Sequence, residues 1–315
     1  MKITILVPKT EFITEQQRQL SKLGEVVYTD SRREYPIEEL IKLADGSEVL
    51  AVDPDNLGGF EKAQEGVFTQ LMEGLPNLKG VALSTTSFSW IDLDYCRKRN
   101  ITVTSVPYYS TESVAEHVLA LLICLAKKII LTDRRTQQGK YKLDMGFELK
   151  GKTLGVIGPG HIGSRVAELG HAVGMKVIAY NRTPKQKEDV EMKTLDEVLS
   201  ESDAISINLA HNDETYHFIS KGEIDKMKDG AIVVNLATRE IVDEDAMAEA
   251  LKSGKVSSYA YEGEDLESSP LSKIETAIGL KGFAWYTREA LERTAEIWTK
   301  SIISIAKEKP INVVS

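Results

Sequence analysis

Short runs of aliphatic and β-branched residues alternate along this chain with longer stretches in which apolar positions recur every three to four residues. The runs 3–7, 26–29, 49–52, 81–84 and 102–104 are too short for helices and read as buried strands. Helical stretches that are polar on one face, such as 14–23 and 36–43, stand between them. A second series follows, with strands expected at 153–157, 176–180, 204–208, 231–235, 256–260 and 277–280. Such alternation implies doubly wound parallel sheets, one in each of two α/β domains. Between the series, 111–135 reads as a single connector helix of about seven turns. Ser110 or Thr111 can cap it, and Glu112 and Glu116 lie near its positive end. The last helix, about 288–307, carries Leu291, Ala295, Ile297, Trp298, Ile302 and Ile305, and is expected to return to the first domain. That makes the second domain an insertion, with boundaries at 1–101 plus 288–315 and at 102–287.

Lys152 to Arg182 forms one βαβ unit around Gly158-Pro159-Gly160-His161-Ile162-Gly163. In such a unit the first glycine makes the tight turn, the second lets backbone approach a pyrophosphate, and the third lets helix pack on strand. The helix start, at His161 and Ile162, then offers N–H groups and positive dipole to phosphates. At the end of the second strand a carboxylate would accept hydrogen bonds from the ribose of NAD. Here stand Asn181, Arg182 and Thr183, with Lys185 slightly later. No acid there repels a 2′-phosphate, and Arg182 can pair with one. NADP is the expected cofactor and NAD the alternative, under which Arg182 is a solvated loop cation.

The 315 residues suffice for two domains, and the composition (42% hydrophobic, 28% charged) is that of a globular protein. A formal charge of −9 argues against nucleic acid and anionic membrane as partners. Cys96 and Cys124 lack CxxC spacing and are expected as reduced thiols in a cytoplasmic protein. MKITILVP is too short for a signal sequence and reads as a first strand, and 119–125 is far below spanning length. No spacing of ligand residues suggests a metal.

Further segments carry a resemblance: Pro107-Tyr108-Tyr109-Ser110-Thr111-Glu112-Ser113-Val114-Ala115-Glu116-His117, Leu149-Lys150-Gly151-Lys152-Thr153-Leu154-Gly155, Leu195-Asp196-Glu197-Val198, Met227-Lys228-Asp229-Gly230-Ala231 and Ala284-Trp285-Tyr286-Thr287-Arg288-Glu289-Ala290. With the glycine motif they resemble the D-isomer-specific 2-hydroxyacid dehydrogenases along essentially the whole chain. The resemblance implies a Rossmann nicotinamide domain inserted into a flavodoxin-like substrate domain, and usually a homodimer built through the nicotinamide domains. It also implies three side chains around the nicotinamide. An arginine clamps the substrate carboxylate, a histidine protonates the developing alkoxide, and a glutamate holds that imidazole protonated.

Against that pattern, Asn235-Leu236-Ala237-Thr238-Arg239-Glu240-Ile241-Val242-Asp243 puts Thr238 in the arginine's place and Arg239 where glycine is expected. Arg239 reaches the pocket only if the loop rearranges. Glu262 takes the cofactor-side aspartate's place, and Glu267 that of the catalytic glutamate. The histidine's place falls on Gly282, and no histidine follows His217. Among replacement donors, His211 after strand 204–208 comes first. Tyr286, Tyr108 and Tyr109 are others, weighed against a packing role. His117, His161 and His171 read as structural or cofactor-side. Asp53 and Asp55 read as helix-start caps. The expected function is an NADP-dependent reductase with a non-standard site, acting on a small organic substrate whose reducible bond is C=O, C=N or an activated C=C. The alternative is a nucleotide-binding or regulatory protein without turnover, or one with non-redox chemistry.

Overall fold

The computed structural model describes residues 1–183 and 190–314, and the chain divides into two units. The first comprises Met1–Tyr109 and Arg288–Ser315, the second Ser110–Thr287. The boundary therefore falls at Tyr109 rather than at 101, because strand 102–104 completes the first unit's sheet.

In the first unit β1 (Lys2–Pro8), β2 (Glu25–Thr29), β3 (Val49–Val52), β4 (Gly80–Leu83) and β5 (Thr102–Thr104) form a parallel sheet in the order β2-β1-β3-β4-β5. Ile3 faces Val26 on one side and Val49 on the other. Successive side chains leave opposite faces of a strand, and both faces here are covered. Ile3, Ile5, Val7, Val49 and Ala51 share a core with Leu20, Trp298 and Ile302. Leu6, Leu50 and Val52 join Phe68, Leu71 and Trp90 on the other face. The helix Arg288–Ala306 supplies Trp298, whose indole N–H donates to the Ala82 carbonyl at 2.9 Å. Leu291, placed on its apolar face by the sequence, is instead 40% exposed.

The second unit is built on β6 (Thr153–Ile157), β7 (Lys176–Tyr180), β8 (Glu191–Met192), β9 (Ala204–Ile207), β10 (Ala231–Asn235), β11 (Val256–Glu262) and β12 (Ala277–Leu280). All are parallel, in the order β12-β11-β10-β9-β6-β7-β8. The order reverses at β6, with β7 on one side and β9 on the other, and open parallel sheets bind ligands at the carboxyl ends of strands at such a point.

The single helix expected over 111–135 is two, Thr111–Ala126 and Ile129–Gln137. Lys128 between them takes a left-handed backbone (φ 56°), and its ammonium donates to the Ser257 and Ser258 hydroxyls at 2.7 and 3.2 Å. Ser110 occupies the N-cap without a side-chain hydrogen bond to the helix. Among the described residues no helix is long and apolar enough to cross a membrane.

Candidate nicotinamide site

At the carboxyl end of β6 the three glycines occupy three different surroundings. Gly158 has φ +86°, a backbone that L side chains rarely adopt, and a Cβ there would lie 2.8 Å from the Asn208 carbonyl oxygen. A Cβ on Gly163 would sit 2.3 Å from the Gly158 carbonyl oxygen, so helix His161–Ala172 could not pack as it does. Around a Cβ on Gly160 there is nothing within 4 Å. That space opens beside the helix start, whose N-cap is Gly160 itself. His161 is exposed there, beside half-buried Ile162. A helix N-terminus next to unfilled room is what a pyrophosphate needs, and the residues present fit a dinucleotide.

After β7, the Asn181 amide donates to the Thr183 carbonyl at 2.7 Å and shapes the turn. The Arg182 guanidinium pairs with Glu214, and both side chains are largely exposed. Lys185 lies outside the described residues.

The loop after β10 is moulded by Asn235, which is fully buried. Its amide donates to the Thr238 carbonyl (3.1 Å) and Tyr259 hydroxyl (3.3 Å), and its oxygen accepts the Ala237 N–H at 3.1 Å. Thr238 is thereby left at the surface. Arg239 is committed elsewhere. Its Nε and Nη2 each donate to Glu244 at 2.7 Å, a two-pronged pair, and Nη1 donates to the Glu264 carbonyl at 3.0 Å. The Glu244 carboxylate also accepts the Ser269 hydroxyl at 2.7 Å, and holds the guanidinium firmly protonated. The arginine stem lies where a Cβ on Gly263 would be, 2.3 Å from its Cδ. Arg239 thus ties the loop after β11 to the helix after β10.

Glu262, at the end of β11, is 8% exposed. Its Oε1 accepts the Ala284 and Phe283 N–H groups at 3.0 and 3.3 Å, and His117 Nε2 lies 3.6 Å away without a hydrogen bond. Burial pushes the Glu262 carboxyl above the usual carboxylate range, partly offset by those two N–H groups, and pushes the His117 imidazole down. Both shifts favour the neutral forms. The His117 ring meets Phe283 edge-on, 4.9 Å between centroids.

Position 282 is bordered by a carboxylate the sequence did not single out. The atom nearest to a Cβ on Gly282 is Glu264 Oε1, at 3.9 Å, while Glu264 Oε2 accepts from Lys281 Nζ at 3.2 Å. The charges of Glu267 and Asp265 also reach Lys281, and with Glu264 they hold its ammonium more firmly protonated. Asp265 has φ +37° and turns this loop, and Glu267 stands exposed in the short helical turn Leu266–Ser268. What could have found Glu264 is the acidic density of Glu262-Gly263-Glu264-Asp265-Leu266-Glu267.

His211 is exposed in the loop after β9 and, among the described residues, has no hydrogen-bond or ion-pair partner that would aim it at position 282. Tyr286 is 63% exposed and meets Trp285 edge-on. In the first unit Tyr108 is exposed, and half-buried Tyr109 packs against that unit's core. Asp53 accepts the Asp55 N–H at 3.1 Å and the Ser84 hydroxyl at 2.7 Å, and pairs with Arg32 at 3.0 Å. It caps the turn Pro54–Leu57, as expected of it.

Residues 119–279 match the family model for the NAD binding domain of D-isomer specific 2-hydroxyacid dehydrogenases. A D-3-phosphoglycerate dehydrogenase of Archaeoglobus fulgidus is 34% identical over 99% of this chain, and the chain spans 58% of that protein's length. Among solved structures, D-lactate dehydrogenase from Aquifex aeolicus, complexed with NAD and lactic acid, is 32% identical (TM-score 0.75; 98% of this chain and 96% of that one). An acyclic imino acid reductase in complex with NADPH and D-Arg is 26% identical (TM-score 0.81; 100% of both chains).

Proposed function

The chain belongs to the D-isomer specific 2-hydroxyacid dehydrogenase family, and from that premise we propose that it is an NADP-dependent oxidoreductase with a non-standard active site. The observation that carries the reading is the contrast between an intact glycine turn and an altered catalytic frame. Gly158, Gly160 and Gly163 each sit in the surroundings their roles require, and the backbone at His161 and Ile162 receives the pyrophosphate. Asn181, Arg182 and Thr183 receive the adenosine ribose and its 2′-phosphate. Exposed ion pairs are worth little, so a phosphate displaces Glu214 from Arg182 readily. Glu262 holds the Phe283–Ala284 backbone at the nicotinamide end. The bound dinucleotide supplies a hydride, and the chain must bind the substrate, orient it and manage protons.

In the family frame the carboxylate clamp falls on Thr238 and the proton donor on Gly282. Neither can serve, because a threonine is uncharged and a glycine has no side chain. Arg239, engaged by Glu244, is a positioning residue for the loop that carries Glu264 and Glu267. His211 is the replacement donor to test. The substrate is a small organic molecule whose C=O or C=N bond accepts the hydride. The assembly we propose is a homodimer in the cytoplasm. Tyr141, Leu143 and Met145 stand 90%, 77% and 96% exposed on alternate positions of one segment of the second unit, an apolar edge that a second copy covers.

A second reading is favoured by the bare position 282, namely a protein that binds NADP(H) and closes on a ligand without turnover. The test is oxidation of NADPH and NADH across glyoxylate, hydroxypyruvate, pyruvate, bulkier 2-oxo acids and imines, with nucleotide binding followed by fluorescence. Saturable oxidation of NADPH with any of them supports the reductase. Binding of NADPH without oxidation across the whole panel supports the second reading.

A further inference from the structure

This inference rests on the reductase reading and deepens it by naming the substrate's charge and bond. Where the family frame seats the proton donor there is Gly282, bordered by Glu264 Oε1 at 3.9 Å from the Cβ position. Asp265 and Glu267 follow in the same loop, both exposed. Lys281 answers part of this charge through its 3.2 Å pair with Glu264. Arg239 answers none of it, since Glu244 and the Glu264 carbonyl occupy its guanidinium.

A 2-oxo acid suits such surroundings poorly on two counts. Its carboxylate finds Thr238 in place of a clamp and meets other carboxylates nearby. Its carbonyl oxygen becomes an alkoxide when hydride adds, and a missing general acid typically costs about 10²–10⁴-fold in rate. A cation whose reducible bond already carries its proton escapes both difficulties.

We infer that the substrate is a protonated imine. The iminium carbon accepts the hydride of the reduced nicotinamide, and the π pair of the C=N bond moves onto nitrogen as its lone pair. The products are a neutral amine and NADP⁺. The proton on nitrogen comes from solvent before binding, so the enzyme transfers none in the step. Because the positive charge disappears as hydride adds, the carboxylates act on binding more than on the chemical step.

The test measures NADPH oxidation with 2-methyl-1-pyrroline, which is protonated at neutral pH, and with its permanently cationic N-methyl derivative. Pyruvate and the neutral ketone 2-methylcyclopentanone are the comparisons. Binding of 2-methylpyrrolidine to the NADP⁺-loaded protein, read by thermal shift, gives a measure independent of turnover. Expected are oxidation with both iminium probes at kcat/KM at least about 10²-fold above pyruvate, and a saturable thermal shift with the amine. Glu264→Gln should raise KM for the iminium about fivefold, the effect of one unit charge some 4 Å away in water-like surroundings, and Glu267→Gln by less, neither lowering kcat. Preference for pyruvate or the neutral ketone overturns the inference and leaves the reductase reading standing. So does an unchanged KM in both glutamine variants. Absence of NADPH oxidation with every probe and every 2-oxo acid overturns both, whether or not the amine binds.

Discussion

Replacing Gly160 and Gly163 in turn by alanine separates what the glycine turn does for a ligand from what it does for the fold. A methyl group on Gly163 would meet the Gly158 carbonyl oxygen at 2.3 Å and Val156 Cγ1 at 3.2 Å, and the carbonyl cannot move without shifting the backbone that leaves β6. Overpacking of this kind costs about 1–3 kcal/mol. For a unit of this size that lowers Tm by about 2–4 °C per kcal/mol. A methyl group on Gly160 meets nothing within 4 Å, in an extended backbone (φ −73°, ψ −153°). Its effect on stability should stay within about 1 kcal/mol. The nucleotide tells the opposite story. The methyl enters the space a pyrophosphate would use and strips it of one charge-assisted hydrogen bond, worth about 1.5–3 kcal/mol. The NADPH dissociation constant should then rise about 10–100-fold. Thermal denaturation and NADPH fluorescence titration read the two effects on the same samples. Wild-type affinity in Gly160→Ala, or a Tm loss in it matching that of Gly163→Ala, would refute the assignment of these glycines.

Three further perturbations test other parts of the site. Arg182→Ala should weaken NADPH about tenfold and leave NADH unchanged, whereas Glu214→Gln should tighten NADPH; the ratio of KM values for the two cofactors checks this. Glu244→Gln removes the charge from the pair with Arg239 and should cost about 1.5–3 kcal/mol in chemical denaturation. Arg239→Ala should cost a similar amount, and the double variant clearly less than the sum, because both lose one interaction. The third is a pH effect. Burial lowers the His117 pKa from 6.5, so the unfolded chain binds more protons just below that pH, and stability falls as pH drops through the window beneath 6.5. Burial raises the Glu262 pKa from 4.5, so the folded chain binds more protons just above that pH, and stability falls as pH climbs. In denaturant titrations at pH 4.5–7.5, Glu262→Gln should leave only the His117 slope, and His117→Gln only the Glu262 slope. A profile unchanged by either substitution would contradict the burial argument.

The strands were legible because a parallel sheet covered on both faces demands continuous apolar runs. Those at 49–52, 153–157 and 231–235 coincide with the observed bounds. The glycine turn was legible because its spacing encodes backbone geometry. The break at Lys128 was not, since apolar residues continue at helical spacing on both sides, and what re-aims the lysine is a pair of serines distant in sequence, on β11. The fate of Arg239 was equally hidden. Its place beside Thr238 could be read, but its partner Glu244 is reached only because the chain turns through Arg239–Ile241. Glu264 was hidden because the family resemblance points to Glu267, while the left-handed Asp265 turns the loop and Glu264 is the carboxylate nearest to the Cβ position of Gly282.

The central claim is that this is the family's scaffold with its carboxylate clamp and proton donor replaced, and restoring both tests it most directly. The double variant Thr238→Arg, Gly282→His is assayed for NADPH oxidation with pyruvate and glyoxylate against the unmodified protein. An imidazole on position 282 would stand beside Glu264, which favours its protonated, proton-donating form. A gain in kcat/KM of about 10²-fold or more is predicted, the contribution of a restored general acid. A folded, NADPH-binding double variant with no gain on either 2-oxo acid would contradict the claim.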